Sequence, residues 1–302
     1  MPRKGKLHAV GVFANVIRAY LNSPNFLRLS KSTQTHYRYF LGLAEHEETL
    51  GSVPIDEIRP ALVQAFLDGL ADRPGTQREA KVALKSVERV ALVRDWLPRA
   101  ITTGVEVIGV TGGYVPWSEE QVALAEGAAV PHLARVVTMA ANTGQRGSDL
   151  VRFRWTDIEE VHGRLGINVR QQKTDLAIWV PFTQALIAAM ATWERRPGFI
   201  LLKADGHPFT RQQLSNHWLE ERSRNPALAP LRGLALHGLR GTAVVRLRRA
   251  GATTPQICDM VGMSPQMVKR YSRYSDQKRN ALAAVHFLDR EQPENAVTKK
   301  RW

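Results

Sequence analysis

The chain has 302 residues, 44% of them hydrophobic, which is long enough for two packed domains and too apolar for a disordered polypeptide. Lys and Arg outnumber Asp and Glu by 42 to 28, a net charge of +14 that favours a polyanionic partner such as nucleic acid. The single cysteine, Cys258, excludes an intrachain disulfide, no Cys/His cluster has zinc-ligand spacing, and no apolar run approaches the length of a membrane span.

In chain order, residues 1–103 read as helices alone. The start, Met1-Pro2-Arg3-Lys4-Gly5-Lys6, leads into no apolar core of a secretory signal, so a cytoplasmic, nucleoid-associated protein with no membrane partner is expected. Tyr37, Phe40, Leu41 and Ala44 share one helical face, as do Ala80, Ala83, Leu84, Val87 and Ala91. Asp72-Arg73-Pro74-Gly75 interrupts the pattern, with Thr76 a candidate N-cap. Residues 104–115 contain four glycines and no helical period, which predicts a linker before a second domain over 116–288.

In that second domain Leu133, Val136, Val137 and Ala140 recur at helical spacing, with Gly144 placed to end the helix. Residues 166–172 and Ala177–Pro181 alternate like strands around a turn at Thr174-Asp175, which puts Lys173 on a β-hairpin. Leu239, Ala243 and Leu247 then share a helical face with a stop at Gly251, and Thr254-Pro255 and Ser264-Pro265 each read as an N-cap followed by proline. Cys258, beside Ile257, is expected to pack in a core. A short apolar helix is expected over 280–288 and a polar tail over 289–302. The fold class is therefore mainly α, with a small β-hairpin in the second domain.

Basic charge concentrates between Arg211 and Arg249, where eight arginines face only Glu220 and Glu221 and no lysine or aspartate occurs. Forked guanidinium groups in such density suit bidentate phosphate contacts. Within and around this stretch lie Thr143-Gly144-Gln145-Arg146-Gly147-Ser148-Asp149, Gln171-Gln172-Lys173-Thr174, Leu236-His237-Gly238-Leu239-Arg240 and Val268-Lys269-Arg270-Tyr271. In content, order and spacing these segments resemble the tyrosine recombinase (phage integrase) family, over about residues 8–288.

The resemblance implies a site-specific DNA recombinase that forms a 3′-phosphotyrosyl intermediate during integration or excision of a mobile element. Arg146 and Arg240 would clamp the non-bridging oxygens of the scissile phosphate, and His237 would add a hydrogen bond and assist deprotonation of Tyr271. Lys173 would be the general acid for the 5′ oxygen, and Tyr271 the nucleophile, with Tyr274 as packing. Asp149 would orient the active-site groups. Fixed cations supply the charge that metals supply elsewhere, so no metal and no cofactor are expected. The same guanidiniums would ease loss of the proton from Tyr271, whose ordinary pKa is about 10.

The chain departs from the family pattern at two positions. Met263 stands 23 residues beyond Arg240, where His or Trp is usual, and methionine cannot donate a hydrogen bond to phosphate. Gly241 stands where His or Lys often follows the arginine, a change expected to be minor. The implied architecture is a two-domain DNA clamp, a helical core-binding domain with a mostly α catalytic domain. Its implied partners are double-stranded DNA with paired half-sites, a homotetramer on that DNA from monomers or dimers without it, and a directionality factor. Two alternatives share parts of the pattern: a non-catalytic helix-turn-helix regulator, which residues 254–271 also resemble, and a type IB topoisomerase-like relaxing enzyme.

Overall fold

The computed structural model describes residues 11–109, 113–274, 281–282 and 284–285. The chain divides into two compact units, Met1–Thr111 and Gly112–Trp302.

The first unit is helical: α1 (Phe13–Leu21), α2 (Pro24–Leu27), α3 (Lys31–Glu45), α4 (Pro60–Asp68) and α5 (Pro74–Val93). Its core is built from Phe13, Ile17, Phe26, Leu41, Leu67 and Leu84, all fully buried, and the two predicted apolar faces meet where α3 packs on α5. Ser30 caps α3 by accepting the Thr33 amide at 3.2 Å. Helix α5 begins earlier than the Thr76 cap predicted: Pro74 occupies the first helical turn, where its fixed φ suits the helix, and Arg73 is the N-cap without a side-chain bond. Buried Glu88 accepts the backbone amides of Ile101 and Thr102, each at 2.5 Å, and thereby fastens the segment after α5 to the core. Val105 and Val107, from the segment expected to be linker, also pack there.

The second unit contains α6 (Glu119–Ala128), α7 (Pro131–Thr143), α8 (Gly147–Leu150), strands β1 (Ile158–Val161), β2 (Arg164–Arg170) and β3 (Ala177–Pro181), then α9 (Gln184–Ala191), α10 (Arg211–Arg224), α11 (Gly238–Arg249), α12 (Thr254–Val261) and α13 (Pro265–Ser272). The sheet is antiparallel in the order β1-β2-β3, with Ile167 opposite Val180 and fully buried on the core side. Strand β1 was not predicted. Its Ile-Glu-Glu-Val sequence has no alternation, and it joins β2 through His162-Gly163, both at positive φ, without the Asn-Gly or Asp-Gly that marks most such turns.

The predicted apolar face of α7 is buried, and Gly144, at φ 65°, ends that helix. Helix α12 starts one residue earlier than predicted, because Thr253 rather than Thr254 caps it. The helix predicted over 280–288 and the tail over 289–302 lie outside the described residues, apart from 281–282 and 284–285, which are helical. Among the described residues no helix is long and apolar enough to cross a membrane.

Candidate active site

Arg146 is the N-cap of α8, at the junction that Gly144 creates by ending α7. Its Nη1 donates to Gln171 Oε1 at 2.8 Å and lies 4.0 Å from Asp149 Oδ2. Asp149 is buried. One carboxylate oxygen accepts the Gln172 amide at 2.9 Å, while Oδ2 has no hydrogen-bond partner and faces the site with its lone pairs unused.

Arg240, one turn into α11, is 2% exposed. Nη1 donates to the Gly144 carbonyl at 2.6 Å and Nη2 to the Gly262 carbonyl at 2.9 Å, so one guanidinium caps the C-termini of both α7 and α12. Burial, reinforced by Arg146 and opposed by Asp149 and Tyr271, lowers its pKa to about 9, which leaves it a cation at neutral pH.

His237 precedes α11 and packs edge-on against Tyr114, ring centroids 4.6 Å apart. Burial, then Arg240, Arg211, Arg146 and Lys173, lower its pKa from 6.5 to about 4, so its ring is neutral at physiological pH. Above pH 6.5 the ring is neutral whether the chain is folded or unfolded. Between about 6.5 and about 4 the unfolded ring takes a proton that the folded ring refuses, so stability falls as pH falls through that window. The expected loss is about 2 kcal/mol, less than the shift alone implies because part of the ring is solvated. Urea unfolding at pH 7 and pH 4 should therefore show a smaller pH penalty in His237→Gln than in the native chain; equal penalties would contradict the buried neutral ring.

Lys173 is exposed in the turn between β2 and β3, as the predicted hairpin requires. Its charge reaches the site, since it is one of the cations that depress His237.

Tyr271 is 4% exposed and turns inward from α13 into an apolar cluster with Val244, Ile257, Val261, Met263 and Val268; Cys258 packs at its edge. Burial raises the pKa of Tyr271 despite the opposing Arg270 and Arg240. Arg240 does ease its ionisation, as expected, with Arg270 as the other guanidinium acting on it, but desolvation of the phenolate outweighs them. Met263 contributes packing to the same cluster. Tyr274 is 39% exposed with Arg273 over its ring, outside that cluster.

Gly241 has a larger role than expected. A Cβ there would lie 2.7 Å from Tyr271 Cδ1 and 2.9 Å from Pro116 Cγ, so the absence of a side chain gives the tyrosine ring its berth against α11.

The structure thus gathers Arg146, Asp149, His237, Arg240 and Tyr271, with Lys173 at the rim. It also sorts the arginine-rich stretch. Arg246 pairs with Glu119, and Arg222 and Arg248 bond backbone carbonyls, so these three brace the fold, while Arg224 pairs with Glu220 on the exposed face of α10. Arg211 lies at the site, packed on Gly147 and acting on His237.

Sequence reasoning missed Tyr114 and the glutamines, and marked Arg211 only as one end of the basic stretch. Gln145 and Gln171 are almost fully buried and bonded side chain to side chain at 2.8 Å. Two glutamines flanking catalytic-type residues were the available signal, but pairing across 26 residues has no local periodicity. Among the described residues, no group of three or more His, Cys, Asp or Glu is placed to hold a metal ion.

The family model described as "Phage integrase family" matches residues 122–278. No curated protein matches the chain. Among solved structures, the chain is similar to a lambda integrase dimer bound to a COC′ core site, with 16% identity and a TM-score of 0.70, over 96% of this chain and 81% of that one. It is similar to a lambda integrase tetramer bound to a Holliday junction, with 17% identity and a TM-score of 0.69, over 84% and 78% of the two chains. It is also similar to the Tn1549 transposon integrase in complex with a circular intermediate DNA, with 15% identity and a TM-score of 0.70, over 92% and 100%.

Proposed function

The chain belongs to the phage integrase family, with just over half its length matched, and is a site-specific DNA recombinase; on that premise we propose that it cuts and rejoins strands through a 3′-phosphotyrosyl link made by Tyr271. One observation carries this reading. The Arg240 guanidinium, 2% exposed, lies beside that of Arg146 with Asp149 as the carboxylate acting on it. Two cations over one anion leave the site short of negative charge, and a phosphodiester offers two non-bridging oxygens to two forked donors.

In the proposed reaction Tyr271 Oη attacks phosphorus and the bond to the 5′ oxygen breaks. Arg146 and Arg240 stabilise the charge that develops on the non-bridging oxygens. The neutral His237 ring has one N–H to give the phosphate and one lone pair to receive the tyrosine's proton. Lys173 delivers a proton to the departing 5′ oxygen. The phosphoester bond count is unchanged, so no ATP is consumed. The 5′-hydroxyl of the partner strand then attacks the phosphotyrosine and Tyr271 departs with its proton restored.

Double-stranded DNA with paired half-sites is the substrate, and four protomers carry out two sequential exchanges for integration or excision of a mobile element. The chain is a monomer or dimer without DNA, and a directionality factor sets the balance between the two reactions. Support comes from the solved relatives, one a tetramer on a Holliday junction and one on a circular intermediate DNA. Affinity carried by phosphate contacts falls steeply with salt.

The test uses nicked suicide duplexes cut from the ends of the element, incubated with the full chain in EDTA. A covalent protein–DNA band is expected, with the protein joined to the 3′ phosphate at the cut and a 5′-hydroxyl freed on the other fragment. Tight binding without a band would instead indicate a DNA-binding regulator, and relaxation of supercoiled plasmid lacking paired sites would indicate a topoisomerase-like enzyme.

A further inference from the structure

Gln171 is fully buried at the point where β2 ends and the Lys173 turn begins. All four hydrogen-bonding positions of its amide are used. Oε1 accepts Arg146 Nη1 at 2.8 Å and Thr174 Oγ1 at 3.0 Å; Nε2 donates to Gln145 Oε1 at 2.8 Å and to the Val261 carbonyl at 2.9 Å. The orientation of the amide is therefore determined, because a flip would set its NH₂ against a guanidinium and its oxygen against a carbonyl.

The backbone of the same residue closes the turn. The Gln171 amide donates to the Leu176 carbonyl at 2.8 Å, and its carbonyl accepts the Asp175 amide at 2.8 Å. The end of α12 is shaped around it: Gly262 holds φ at 64°, and a Cβ there would fall 2.3 Å from Gln171 Nε2. Gly262 is also the residue whose carbonyl takes Arg240 Nη2. One side chain thus meets the phosphate-clamping Arg146, the turn that carries Lys173, and the backbone stretch that anchors Arg240.

We propose that Gln171 is a positioning residue that sets Lys173 and Arg146 in register, so that proton delivery to the leaving oxygen and clamping of the phosphate are assembled together. This rests on the roles given above to Lys173 and Arg146. Thr174 ties the exposed turn to Gln171 Oε1, and Gln145 ties Gln171 to the α7–α8 junction from which Arg146 projects. Losing the amide releases Thr174 while the backbone bonds of the turn, Lys173 and its charge remain.

The test compares two suicide duplexes, one with the natural 5′-bridging oxygen and one with sulfur at that atom. A thiolate leaves without protonation, so the sulfur duplex reports cleavage that needs no acid. Native protein and Lys173→Ala read the underlying mechanism: the alanine variant should be slow on oxygen and restored on sulfur.

Gln171→Met should cleave the oxygen duplex roughly 10²-fold more slowly, the cost of displacing a catalytic group by about an ångström. On sulfur its deficit should shrink to about tenfold or less, the remainder belonging to Arg146, with duplex affinity within about twofold of native. Thr174→Val, an exposed change with little bearing on folding, should show the same selectivity at about a tenfold deficit on oxygen. If Lys173→Ala is rescued by sulfur while Gln171→Met and Thr174→Val are equally impaired on both duplexes, or unimpaired on both, the positioning role is overturned and the mechanism stands. Native protein inert on both duplexes, or Lys173→Ala as fast as native on oxygen, overturns both.

Discussion

Replacing Tyr271 by phenylalanine is expected to abolish covalent attachment to a suicide duplex, by at least about 10⁴-fold, while duplex affinity stays within about twofold of native. The separation follows from where the ring sits. Tyr271 is packed among Val244, Ile257, Val261, Met263 and Val268, with its ring against Gly241, and phenylalanine fills the same space. Only the hydroxyl is lost, and that is the sole atom proposed to form a bond to phosphorus. Tyr274→Phe should cleave at near-native rate, because its ring is 39% exposed, lies under Arg273 and takes no part in that cluster. Attachment that survives Tyr271→Phe but is lost in Tyr274→Phe would reverse the assignment. The raised pKa of Tyr271 adds a second expectation to the same experiment. The hydroxyl is fully protonated at pH 7, so its proton must leave during attack, and single-turnover cleavage should not fall as pH rises from 6 to 9.

The parts of this site that were legible in the sequence are those whose partners lie on one local element. His237 and Arg240 are three apart at the start of α11, and Arg146 and Asp149 three apart across the α8 junction, so periodicity places each pair on one side. Strands β2 and β3 declared themselves by alternation, and the α3 and α5 faces by helical spacing. What stayed hidden depends on approach between distant segments. Gln171 meets Val261 across 90 residues and Arg146 across 25, and nothing at either position taken alone distinguishes a buried amide from a solvated one. Gly241 reads as a missing side chain until the Tyr271 ring is seen against it. Tyr114 falls in a glycine-rich stretch that suggests only linker, yet its ring covers His237. The arginine-rich stretch shows the converse error, since charge density pointed to phosphate while Arg222, Arg246 and Arg248 bond other parts of the protein and Arg224 pairs with Glu220 on the surface.

Arg240→Ala is expected to lose both chemistry and stability, whereas Arg146→Ala should lose chemistry at the smaller cost in stability. Arg240 is 2% exposed and bonds the Gly144 and Gly262 carbonyls, the two helix ends between which the site is formed. Truncation leaves both carbonyls without that donor and opens a cavity beneath the phosphate position. The expected cost is about 3 kcal/mol, or roughly 6–12 °C in melting temperature for a domain of this size. Arg146 is nearer the surface, and its charge opposes that of Arg240. Removing it relieves repulsion between the guanidiniums but costs the bond to Gln171 and the pairing with buried Asp149, so the melting temperature should fall less than in Arg240→Ala. Single-turnover cleavage should nevertheless fall by about 10³-fold in each variant, since each removes a charged donor to the transition state. Arg240→Lys sharpens the comparison, because it keeps the charge but one ammonium cannot replace the fork that spans two carbonyls and still faces the phosphate. It should recover part of the stability and remain about 10²-fold slow. Native cleavage by Arg240→Lys would show that charge alone suffices there, and native cleavage by Arg146→Ala would remove one arm of the proposed clamp.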